Sequence, residues 1–186
     1  MKKKFWVMPL AAIAVVCTVL LSACGGPSVE ELIREDVEKA FSEVSADNED
    51  LMDAMVASSD GAFEQLGLDT KEFAEAYLDG FGHEIKEVVV DEEAGTADAK
   101  VIVKIKSLTA IMADFASQFQ EYVNGLDLST VSSEEVLYAQ AGQILMDAVK
   151  NAEPAETECT FLYEKDDEGS WSATEDTETE ILNAMQ

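Results

Sequence analysis

Beyond residue 28, the apolar positions of this chain recur first at a helical period, then at a strand period, and then go through both again. Ser28 with Glu31 forms a capping box, and Ile33, Val37, Phe41 and Val44 come after it at helical spacing. This predicts a first helix of about four turns. A polar break at residues 45–48 leads to a second helical pattern carrying Leu51, Met52, Met55 and Val56. Gly61 and Gly67 punctuate the next stretch. Asp69 with Glu72 is a further capping box, opening a short helix with Phe73, Tyr77 and Leu78 that stops at Gly80.

The period then becomes two. Residues 85–90 read as a strand, and Asp91, Glu92, Glu93, Ala94 and Gly95 as a turn. Ala97, Ala99, Val101, Val103 and Ile105 alternate with Asp98, Lys100, Ile102, Lys104 and Lys106, which predicts a half-buried strand with a polar outer face, paired as a hairpin with the one before. Helical spacing returns at Leu108, Ile111, Met112, Phe115, Phe119, Tyr122 and Val123, ending near Gly125. Ser132 with Glu135 reads as another capping box, for a helix carrying Val136, Leu137, Ile144, Leu145, Ala148 and Val149. Residues 158–163 and 170–173 form a second hairpin, and a short helix carries Ile181, Leu182 and Met185. There is no internal repeat and no low-complexity tract. This order predicts an α+β fold in which N-terminal helices pack on an antiparallel sheet made of two hairpins, with a helix pair inserted between them.

The first residues obey another logic. Lys2, Lys3 and Lys4 precede an almost unbroken apolar stretch over residues 5–21, interrupted by Pro9, and small residues close it. A basic start, an apolar core and a small-residue cut describe an export signal, and the stretch is at the short limit for a membrane span. Leu21, Ser22, Ala23 and Cys24 resemble the lipobox of bacterial lipoproteins. That resemblance implies diacylglyceryl transfer to the Cys24 sulfur and cleavage between Ala23 and Cys24. The expected organisation is a lipoprotein signal peptide over residues 1–23, a lipidated cysteine with a flexible tether over 24–28, and one α+β domain over 29–186. The chain is then expected on the extracytoplasmic face of the cell membrane, because two acyl chains on one cysteine anchor stably.

Charge narrows the partners. All 39 acidic residues lie beyond Cys24, whereas three of the 12 basic ones precede it, so a chain cut there carries a formal charge of −30. Such a surface repels phosphate backbones, so nucleic acid is not an expected partner, and it attracts cations diffusely. Cys17 leaves with the signal and Cys24 carries lipid, which leaves Cys159 without a disulfide partner. Cys159 alternates with Phe161 and Tyr163 on one strand face and is expected to be buried.

The lipobox, the opening helices, the hairpin over residues 85–105 and the second hairpin, whose turn precedes Trp171, together resemble a broad group of small Gram-positive lipoproteins with domains of unknown function. These are similar in turn to nuclear-transport-factor-2-like and cystatin-like α+β folds. The resemblance covers nearly all of residues 28–186, with the lipobox as its specific motif. It implies a pocket between a curved sheet and the first helices, and it assigns no functional residue beyond Cys24.

Candidate chemistry is sparse. Glu164, Asp166, Glu168, Gly169 and Glu175 match the spacing of a calcium loop, but strand-like alternation precedes them where that motif needs a helix, so a hairpin turn is expected instead. His83 is the single histidine, which leaves no second imidazole for a metal site. Preceded by Gly80 and Gly82, it is expected at an exposed turn, solvated and outside any main pocket. Trp171 is expected to pack its hairpin onto the helices, and Phe115, Phe119, Tyr122, Met52 and Met55 have core spacing. No catalytic residue, metal or cofactor is assigned. The function expected is a non-enzymatic binding or interaction module for a small molecule or an envelope protein. The alternatives are a pocket enzyme using His83 with an acidic residue, or a structural envelope lipoprotein. A closed apolar pocket with a few convergent polar groups would favour binding.

Overall fold

The computed structural model describes residues 27–126 and 133–186. Cys24, the expected export signal over residues 1–23 and Ser132 lie outside the described residues. The elements run α1 (Val29–Ser42), α2 (Glu49–Ser59), α3 (Ala62–Leu66), α4 (Thr70–Leu78), β1 (Gly82–Asp91), β2 (Thr96–Lys106), α5 (Leu108–Gly125), α6 (Glu134–Asn151), β3 (Pro154–Lys165), β4 (Trp171–Ala173) and α7 (Glu175–Ala184).

Local chemistry sets the boundaries. The Ser28 side chain accepts from the Glu31 backbone N–H while Glu31 reaches back to the Ser28 N–H, so the capping box opens α1 as expected. Asn48 and Asp69 cap α2 and α4 in the same sense. The sixth helix departs from expectation: it starts after Ser133, whose side chain makes no cap bond. The one-turn α3 is also new, held between Gly61 and Gly67, both at positive φ. Asp166 ties the second hairpin turn by accepting from the N–H groups of Glu168 and Ser170. Residues 164–175 thus run from strand through turn to strand, with Glu175 opening α7, as the alternation predicts.

The four strands form one antiparallel sheet in the order β1-β2-β3-β4, with α5 and α6 joining the neighbours β2 and β3. This is the expected α+β arrangement. In register, Ala97 lies opposite Tyr163, Ala99 opposite Phe161 and Val101 opposite Cys159, so small side chains on β2 face large ones on β3. All six are buried and form the sheet's inner face. A bulge between Ile85 and Glu87 shifts the register of β1, so that Ile85, Val88 and Val90 keep their contact with the core cluster. Over that face lie Val29, Ile33, Val37 and Phe41 of α1, each worth about 1.5–3 kcal/mol when fully buried. Trp171 is buried in the same cluster, as expected.

The helix α7 closes the far side of β3. The Thr177 hydroxyl accepts from Leu162 N–H at 2.9 Å and donates to Leu162 C=O at 3.1 Å, and Glu180 accepts from Thr160 N–H at 3.4 Å. These bonds satisfy a strand edge beyond the three-residue reach of β4, and so block it against pairing with another chain.

Two expectations about side chains are corrected. Lys106 does not lie on the polar outer face: it is 2% exposed, and its ammonium donates to the carbonyls of Ala76 at 2.7 Å and Val149 at 3.0 Å. Those carbonyls belong to the last turns of α4 and α6, where no intrahelical donor is available, so one cation serves two helix C-termini. Among the candidate core residues of the helices, Met55 is buried and Met52 and Phe115 are half-buried against the core cluster, but Phe119 and Tyr122 are half-buried without joining it. The helix pair leaves Met112, Val123, Val136 and Tyr138 exposed.

Candidate functional site

Along α1, the apolar stripe of Val29, Ile33, Val37, Ala40, Phe41 and Val44 includes one acidic position, Asp36. A charged side chain on a core face needs a partner, and Tyr163 on β3 supplies one: its hydroxyl donates to Asp36 Oδ2 at 2.9 Å. Asp36 is 5% exposed, and its Oδ1 has no hydrogen-bond partner among the described residues.

Next to this pair is a cavity of about 40 Å³ between α1 and α7, floored by β2 and β3. Phe41, Val103, Ile105, Phe161 and Met185 give it apolar walls, and the polar members of the lining are Asp36, Tyr163 and Thr177. Phe81, Ala173 and Ile181 are its half-buried members, which places them toward solvent. The volume has room for roughly two or three waters or a group of that size. Ala97 and Ala99 stand beside Tyr163 and Phe161 on the same face of the sheet, and α7, held by the Thr177 bonds, supplies the opposite wall.

His83 stands at the start of β1, opposite Val103, as its place at a strand entry suggests, but not in an exposed turn. Its ring stacks on Phe41 with centroids 4.2 Å apart and planes 8° from parallel, and its Nε2 is 3.0 Å from Glu38 Oε2. The side chain is 18% exposed and therefore not freely solvated. It does stay outside the cavity lining, as expected, because the Phe41 ring stands between. Glu38 is largely exposed, so the pair sits at the rim of α1 and not in an enclosed site.

Cys159 is buried at 1% exposure, as expected. Burial, with the Glu180 carboxylate as a second cause, pushes its thiol up to about 11, which keeps it protonated and unreactive at neutral pH. Burial likewise raises the Tyr77 hydroxyl, which donates to the Lys106 carbonyl at 3.1 Å. Among the described residues, no group of three or more histidine, cysteine, aspartate or glutamate side chains is placed to hold a metal ion. Among the same residues no helix is long and apolar enough to cross a membrane.

Sequence patterning does not single out Asp36, Glu38 or the buried role of Lys106. For Asp36 a signal existed, since it falls on the stripe three positions after Ile33, but the run Arg34, Glu35, Asp36 reads as a solvated face.

No family model matches the chain, and no curated protein matches it. Among solved structures it is similar to the crystal structure of a candidate lipoprotein, ycdA, from Bacillus subtilis, at 18% identity and a TM-score of 0.42. That similarity covers 74% of this chain and 46% of the other, so the chain spans less than half of that protein's length.

Proposed function

We propose that this chain is a non-enzymatic binding module held by lipid on Cys24 at the extracytoplasmic face of the cell membrane, with the cleft between α1 and α7 as its site. The observation that carries the reading is the cavity itself, which is apolar on most sides and counts in its lining Asp36, whose Oδ1 has no hydrogen-bond partner among the described residues. A preformed apolar recess with a few convergent polar groups is the usual form of a small-molecule site. The tether is supported by the lipobox residues Leu21 to Cys24, placed just ahead of a domain that starts at Val29. A cavity between sheet and first helix is also what a resemblance to nuclear-transport-factor-2-like and cystatin-like folds implies, and that kinship is part of the proposal.

The enzyme alternative draws on one observation, the contact of His83 with Glu38. It ranks second because that pair lies outside the cavity and Glu38 faces solvent.

Native mass spectrometry of the full chain, recovered in detergent from the cell envelope of a producing host, tests the binding reading. The expected result is a small molecule carried by the wild type and lost in Ala40→Phe, a variant that fills the cleft and is checked for an unchanged circular dichroism spectrum. An empty wild type, together with no response to any fragment in a small-molecule screen, would contradict it.

A further inference from the structure

We infer that the group taken into the α1–α7 cleft is the protonated amine of a small molecule with a short apolar body; this rests on the cleft being the binding site and names its ligand class. The hydrogen-bonding capacity of the lining decides the point. The Tyr163 hydroxyl proton is committed to Asp36 Oδ2, and the Thr177 hydroxyl both accepts from and donates to the Leu162 backbone. What the cleft offers a newcomer is therefore an acceptor, Asp36 Oδ1, which has no partner among the described residues. A ligand that is only an acceptor, such as a carboxylate or a phosphate, would meet no free donor among the described lining residues.

Two further features select an amine over a neutral donor such as an alcohol. A hydrogen bond from a charged donor is roughly twice as strong as one from a neutral donor. The acidic excess of the whole chain, a formal −27, raises the local concentration of cations at any opening on its surface. The walls suit the rest of such a molecule. Phe41 and Phe161, with centroids 6.0 Å apart, and the adaptable Met185 accept CH groups, and the aromatic rings tolerate a neighbouring positive charge. Asp36 Oδ1 is itself covered, so the amine reaches it as neighbouring lining side chains give way.

The test compares n-propylammonium, n-propanol and propanoate on residues 25–186 at neutral pH, read by saturation-transfer NMR and by the methyl resonances of Ile181 and Met185. The expected result is binding of propylammonium about tenfold tighter than propanol, with propanoate inert, and loss of that preference in Asp36→Asn. The preference in the wild type is a readout that stands even if the variant does not fold. Equal affinity for the amine and the alcohol, or a preference for propanoate, would overturn the ligand class while leaving the cleft as a site. Absence of any response from all three at Ile181 and Met185 would overturn the cleft as a site and the inference with it.

Discussion

The hydroxyl of Tyr163 on β3 donates to Asp36 Oδ2 on α1 at 2.9 Å, a buried bond between residues 127 positions apart in sequence. It ties the first helix to the third strand and fixes the polar end of the cleft. Tyr163→Phe strips the carboxyl of this donor and should destabilise the fold by about 1–3 kcal/mol in urea denaturation. Replacing both partners, as in Asp36→Leu with Tyr163→Phe, should cost less than Tyr163→Phe alone, because no buried polar group is then left unpaired. Additive losses in the double variant would show that the two residues act independently.

Lys106 should prove a structural cation. Lys106→Met keeps the buried stem but leaves the Ala76 and Val149 carbonyls without their donor. The expected loss is about 3 kcal/mol of unfolding free energy. Hydrogen exchange should accelerate first in the last turns of α4 and α6. A variant as stable as the wild type would remove the role assigned to the ammonium.

Gly142 allows α6 to approach α3. A Cβ at this position would lie 2.1 Å from the Leu66 carbonyl oxygen, so the helices would have to separate. Gly142→Ala should therefore destabilise by about 1–3 kcal/mol despite the better helix propensity of alanine. Gly125→Ala, where nothing lies within 4 Å of the new Cβ, serves as the control and should be near neutral. If both variants behave alike in thermal melts, the close approach has no energetic weight.

Cys159 should resist thiol reagents in the native state. With the thiol pushed up to about 11, the reactive thiolate is scarce at pH 8 and increases only as the pH approaches that value. Burial adds a second barrier, so Ellman's reagent should react only on the timescale of unfolding and promptly in denaturant. Immediate native reaction at pH 8 would place Cys159 at an accessible surface.

Local pattern made much of this fold legible. Ile33, Val37 and Phe41 announced α1, and the alternation from Ala97 to Ile105 announced β2, because both elements have one buried face. The same patterns misled where burial depended on distant elements. Lys106 continues the alternation as a polar position, yet the ends of α4 and α6 enclose it. Phe119 and Tyr122 have core spacing, but both are half-buried and stack on each other with centroids 6.3 Å apart. The site itself was least legible. Asp36 meets Tyr163, and Glu38 meets His83, only after β1 and β3 lie beneath α1, and no local spacing records those meetings.

Binding in any form requires that the α1–α7 cleft admit an occupant. Xenon, which needs no polar partner, reports on this directly through methyl NMR of residues 25–186 under moderate gas pressure. Saturable shifts are expected to include Val103, Ile105, Ile181 and Met185, four of the methyl-bearing residues that line the cavity. Shifts confined to the exposed apolar stripe of α5 and α6, with those four residues unmoved, would contradict a cleft that opens to ligands.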